Sequence, residues 1–136
     1  MNSKIKLGIL GGGGDSLIGV LHRVASNMFD RYEIVGGVFN PNYDENLAFA
    51  KKIGLDESRV YLDFETMILE ESKLNSNERM EVVSVLTPNF LHFPMAKKLL
   101  ENNFHVICEK PLTTSYKEAL ELKNLQKTKK LVFAIT

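Results

Sequence analysis

Lys110 stands between Glu109 and Pro111, directly after the apolar run Phe104–Cys108. A flexible ammonium at the end of a strand can donate to a carbonyl or hydroxyl, or pass a proton. Taken alone, a solvated lysine before a turn is the simpler reading. Glu109 either orients it or is a surface charge. A second polar segment, Thr87-Pro88-Asn89, also closes an apolar run, and His92 follows three residues later. His92 either packs against its own helical turn or touches a ligand. A third segment holds four consecutive glycines, Gly11 to Gly14, between an apolar run and an amphipathic stretch. Backbone N–H groups in such a turn, with the positive end of a following helix, suit a phosphate. Glycine lets the backbone turn sharply and lets a pyrophosphate come close.

The glycine turn fits the dinucleotide fingerprint imperfectly. Gly11-x-Gly13 supplies its first two glycines, and Gly14 lengthens the turn. Ser16 stands where the third glycine would be, and Gly19 can take over close helix–sheet packing. An acidic residue on the ribose is expected about 20 residues further on. Asn40 lies there, at the end of Tyr32–Phe39. It can hydrogen-bond a ribose or serve as a plain turn residue. It lacks the carboxylate that favours NAD, and no arginine adjoins it to hold a 2′-phosphate, so NAD and NADP both stay open.

Other reactive side chains carry less. His22 reads as structural, His105 has no assigned role, and Cys108 is a small buried hydrophobe. No spacing of His, Cys and carboxylates suggests a metal site, and no nucleophile–base pair stands out. Lys+Arg and Asp+Glu number 17 each, giving no electrostatic support for nucleic acid or a membrane surface. A single cysteine excludes an intramolecular disulfide and fits a reducing compartment. No apolar run approaches the roughly 20 residues of a membrane span. A cytoplasmic protein is the default expectation.

These segments need a scaffold, and the hydrophobic pattern supplies one. Strands are expected at Lys4–Leu10, Tyr32–Phe39, Glu81–Leu86, Phe104–Cys108 and Leu131–Ile135, with a marginal sixth at Val60–Leu62. Helices alternate with them. The first runs from about Ser16 to Met28, with Leu17, Val20, Leu21, Val24 and Met28 on one apolar face. Asn42 with Glu45, and Ser115 with Glu118, read as capping boxes. Asp63 can cap a third helix, and Pro94 fits the first turn of a fourth near His92. Leu74–Arg79 reads as the likeliest mobile loop. Alternating strands and helices over 136 residues predict one α/β domain, a doubly wound parallel sheet of about six strands in three layers. In such sheets ligands bind outside the carboxyl ends of the strands. The glycine turn, Asn40, Thr87–Leu91 and Glu109–Pro111 all lie there.

The two motifs V-x-x-L-T-P-N-x-x-H and H-V-x-x-E-K-P-L resemble the N-terminal half of the Gfo/Idh/MocA oxidoreductases. The resemblance covers nearly the whole chain. It implies hydride transfer between NAD(P) and the carbinol carbon of a sugar, inositol or related polyol. It implies that Lys110 lies near nicotinamide and substrate and assists catalysis. It implies a cofactor contact surface drawn from Gly11, Gly13, Gly14, Ser16, Asn40, Thr87, Pro88, Asn89, His92, Glu109, Lys110 and Pro111. Family members continue into a second domain that carries substrate contacts and commonly the oligomer interface. On this reading the chain binds cofactor without turning over, and homo-oligomers are possible. Two rivals stand beside it: a non-catalytic nucleotide-binding module with a regulatory or redox-sensing role, and an interaction domain with an unused crevice.

Overall fold

A computed structural model describes residues 3–136. Five strands alternate with five helices. They are β1 (Ile5–Gly11), α1 (Leu17–Asn27), β2 (Tyr32–Val38), α2 (Tyr43–Lys52), α3 (Phe64–Lys73), β3 (Val82–Leu86), α4 (His92–Glu101), β4 (His105–Cys108), α5 (Tyr116–Lys129) and β5 (Phe133–Ile135). The sheet order is β2-β1-β3-β4-β5 and every pairing is parallel. The direction of strand progression therefore reverses at β1, with β3 on its far side. A crevice opens at such a switch point.

The marginal sixth strand shrinks to one bridge, Gly37 to Val60, at the edge beside β2. A short 3-10 turn (Glu57–Arg59) and the cap residue Asp63 flank it, leaving too few residues for a ladder.

Period-two alternation splits the strand residues between two cores. Leu10, Val83, Val85 and Val106 face α3, α4 and α5, where Met67, Leu99 and Leu122 close over them. Leu7, Ile9 and Val82 face the other way, against Phe49 and Ala50 of α2. Asn42, Asp63 and Ser115 each accept a backbone N–H of the first turn as read, and Ser16 does the same for α1, but neither Glu45 nor Glu118 returns to the N–H of its cap residue, so the two expected boxes are only half formed. Each such cap contributes about 1 kcal/mol.

One expectation changes. The apolar residues of α1 do not enter a core. Leu17, Leu21, Val24 and Met28 are all more than half exposed, and only Gly19 and Ser26 of this helix are buried. The helix meets the sheet along its small-residue edge, which turns its larger apolar side chains outward. At the end of Leu74–Arg79, Arg79 anchors the segment beside β3. Arg79 donates to the Asn102 carbonyl at 3.1 Å and lies over the Phe104 ring at 4.2 Å. Beside it, fully buried Glu71 gathers Arg59, the Tyr61 hydroxyl and the Met80 N–H around one carboxylate.

Candidate functional site: a crevice at the carboxyl ends of the strands

The ends of β1, β2 and β3 enclose a crevice of about 560 Å³. Gly11, Gly12 and Gly13 form one wall, Asn40 and Pro41 the end beyond β2, and Thr87 and Pro88 the side beyond β3. Leu62, Asp63 and Phe64 line it from the α3 side, and Leu91 and Met95 from the α4 side.

Close backbone packing shapes the glycine wall. The Gly13 N–H donates to the Phe39 carbonyl at 3.1 Å, so the turn is strapped to the end of β2. A side chain on Gly19 would lie 1.8 Å from the Gly12 carbonyl oxygen, so α1 and the turn touch backbone to backbone. Gly19 thus performs the packing role that a third fingerprint glycine would have. Gly11, at φ +80, would meet the Leu86 carbonyl at 2.8 Å if it carried a side chain. Arg23, one turn along α1, donates to the Gly12 carbonyl at 2.8 Å while stacking over Phe49 at 4.9 Å. The Ser16 hydroxyl is committed to the Gly19 N–H at 3.1 Å. The N–H groups ahead of Gly19 in that first turn are left for a ligand. Side-chain-free walls and a positive helix end fit a dinucleotide pyrophosphate.

The loops after β3 and β4 are joined by His92. It is 1% exposed, and its ring nitrogens lie 2.7 Å from the Pro111 carbonyl and 2.8 Å from the Thr87 carbonyl. It bridges the loop after β3 to the loop after β4 from behind, and does not line the crevice. The Lys110–Pro111 peptide is cis, and Lys110 itself is exposed with its ammonium uncommitted to any hydrogen bond among the described residues. Glu109 points to the opposite face. There it accepts from His22 at 3.0 Å and from the Thr136 hydroxyl at 2.8 Å. Partial burial raises the Glu109 carboxyl, but these hydrogen bonds outweigh it and hold the group below the ordinary glutamate value. Cys108 is fully buried, and burial pushes its thiol up to about 12, which removes it as a nucleophile.

Of the residues singled out from sequence, Gly11, Gly13, Asn40, Thr87 and Pro88 share the crevice. Gly14 and Asn89 are exposed beside it, and Ser16 caps α1. His92 and Glu109 hold the loops that carry Lys110 and Pro111. Arg23 and Asn46 escaped sequence reasoning, as did the place of Asp63 in the crevice beside its expected cap role; His22, read as structural, holds Glu109. Asn46 is fully buried, accepts from the Phe39 N–H at 2.7 Å and donates to the Tyr61 carbonyl at 2.8 Å. A polar residue on the apolar face of α2 was the available signal. Among the described residues no group of His, Cys, Asp and Glu can hold a metal ion, and no helix is long and apolar enough to cross a membrane.

A parallel sheet reversing at β1, with a glycine turn leading into a capped helix, defines a dinucleotide-binding α/β domain. The chain belongs to the Gfo/Idh/MocA oxidoreductase family: the model of its NAD-binding Rossmann fold matches residues 5–136. The uncharacterized oxidoreductase YfiI of Bacillus subtilis is 32% identical over 137 residues, covering 100% of this chain and 34% of that protein. Glucose-6-phosphate 3-dehydrogenase of the same species is 30% identical, over 88% of this chain and 29% of that protein. An inositol dehydrogenase homolog from Azotobacter vinelandii, solved with NADH and myo-inositol, is 32% identical with a TM-score of 0.94. It is matched over 98% of this chain and 35% of its own. The chain thus spans about a third or less of the length of the relatives it matches.

Proposed function

We propose that the crevice holds a nicotinamide dinucleotide and that Lys110 acts on a sugar, inositol or related polyol presented beside it. The observation that carries this is the His92 bridge, which fixes the Lys110 loop against the Thr87–Pro88 side of the crevice. Gly11, Gly13 and the first turn of α1 receive the pyrophosphate, and Asn40 faces the adenosine end. Gly14, Ser16 and Asn89 border this path, and Thr87, Pro88 and Pro111 shape its nicotinamide end. When bound, the cofactor supplies hydride exchange at a carbinol carbon. Lys110 would hold the substrate oxygen: in the carbonyl-reducing direction its ammonium would deliver a proton from Nζ to that oxygen, and in the oxidising direction the neutral amine would take the hydroxyl proton back. Glu109, anchored by His22, keeps the loop in register without touching the reacting atoms.

The substrate wall and the second proton-transfer group are assigned to the part of the relatives' length outside the match. The 136-residue chain on its own is therefore expected to bind cofactor without turnover. Calorimetric titration with NADH tests the reading, with Lys110→Ala as the control. The wild-type chain should bind, and the variant should bind within about twofold, since a lysine acting on substrate adds little to cofactor affinity. Absence of binding at millimolar NADH refutes it. A large affinity loss in Lys110→Ala moves the lysine to the cofactor and favours a purely nucleotide-binding role.

A further inference from the structure

We propose that His92 is a positioning residue that works as an imidazolium, and that losing one ring proton unfastens the Lys110 loop from the Thr87–Pro88 side of the crevice. The consequence for Lys110 rests on the function proposed above. The state of the ring rests on hydrogen-bond geometry alone.

Both partners of the ring are backbone carbonyls. The Pro111 oxygen lies 2.7 Å from Nδ1 and the Thr87 oxygen 2.8 Å from Nε2. A carbonyl oxygen only accepts, so each ring nitrogen must carry a proton to bond it. A neutral imidazole has one N–H, and its other nitrogen presents a lone pair. At these distances a lone pair facing a carbonyl oxygen repels it. Water offers no relief, because His92 is 1% exposed. Neither carbonyl has another donor among the described residues, so a neutral ring also leaves one of them unsatisfied. The neutral ring therefore keeps one loop and gives up the other. Whichever carbonyl it gives up, the fixed separation of the two loops is lost.

Little besides the two carbonyls favours a positive ring. Glu109, two residues before Pro111, is turned to His22 and Thr136 on the opposite face. The Lys110 ammonium stands beside Pro111, and His92 itself opens α4, at the positive end of the helix dipole. Further along α4, Lys97 pairs with Glu121 of α5 and Lys98 with Glu65 of α3. At the start of α5, Glu118 accepts from the Thr114 hydroxyl. On β4, His105 accepts from the Val132 N–H, and burial keeps the Cys108 thiol neutral. No carboxylate pairs with the His92 ring among the described residues. A buried charge needs hydrogen-bond partners to persist, and here those partners are the two loops. Charge and bridge stand or fall together.

Nitrogen NMR of the 136-residue chain, labelled in histidine, tests this without coenzyme. Its failure leaves the cofactor reading standing, and a chain that does not bind NADH leaves this result standing. From about pH 5 to pH 9 the His92 ring should pass from two N–H groups to one. The Thr87, Asn89, Lys110 and Leu112 amides should shift in step with it. In His92→Phe those amides should lose this dependence. His22 reaches the same loop through Glu109, so the series is repeated in His22→Asn, where the dependence should persist. Where His92→Phe fails to fold, through-bond correlation to the His92 backbone assigns the ring and the wild-type series decides. An unprotonated ring nitrogen at the acid end of the range overturns the inference. So does a ring whose proton count never changes, or a change that leaves the loop amides in place.

Discussion

Gly19→Ala is the sharpest test of how the crevice is built. Its added methyl would lie 1.8 Å from the Gly12 carbonyl oxygen, 2.6 Å from the Gly12 carbonyl carbon and 2.8 Å from its Cα. Ordinary contact starts at 3.4 Å, so α1 and the glycine turn must part by about 1.6 Å. All three neighbours are backbone, so no side chain can rotate away. The displacement pulls on the Arg23 hydrogen bond to the Gly12 carbonyl and on the Gly13 strap to Phe39. Overpacking of this kind costs about 3 kcal/mol, the upper part of its usual range. For a domain of this size, that lowers Tm by about 10 °C. Gly14→Ala is the matched control. It has nothing within 4 Å but sits at φ +58, so it pays only backbone strain, about 1–2 kcal/mol. Thermal melts and NADH titration of both variants check the reasoning. Gly19→Ala should lose most cofactor affinity and melt below Gly14→Ala. A Gly19→Ala chain that melts no lower than Gly14→Ala, or binds NADH like the wild type, refutes the backbone contact as the element that sets the turn.

Two further outcomes follow from buried charge. Glu71→Ala strands the Arg59 guanidinium, the Tyr61 hydroxyl and the Met80 N–H around an empty site, which should cost about 3–5 kcal/mol. Urea denaturation reads this directly, and a loss below about 1 kcal/mol would show that the network is dispensable. Glu109 has a depressed folded-state value, so its contribution is present above its ordinary value of 4.5 and is lost as pH falls through the folded value. Glu109→Gln should therefore melt below the wild type near pH 7 and converge with it toward pH 3, within roughly the range set by carboxylate titration. A difference in Tm that stays constant with pH would argue against a charged Glu109 carboxylate accepting from His22 and Thr136.

The sheet was legible because its strands carry continuous apolar runs, and the starts of α2, α3 and α5 were legible because Asn42, Asp63 and Ser115 act on their own first turns. Each of those signals is local. The strand ends gave the positions of four loops along one sheet edge, and five predicted residues do meet in one crevice there. What local patterns cannot carry is contact between residues distant in the chain. His22 and Glu109 are 87 positions apart and pair across the sheet. The apolar stripe of α1 has clear helical period, yet periodicity says only that one face is apolar, not what covers it. Val60 failed as a strand for the converse reason: its propensity is right, but a turn and a helix cap leave it no length. His92 shows the same limit most directly. Its spacing after Thr87-Pro88-Asn89 suggested either helix packing or a ligand contact, and the structure gives it a third task. Its two ring nitrogens reach carbonyls on two different loops. The distance from Lys110 to the crevice is thus set by a residue that lines no part of the crevice. Reactive residue types mark where chemistry can occur, whereas buried polar residues with paired partners decide whether those residues meet.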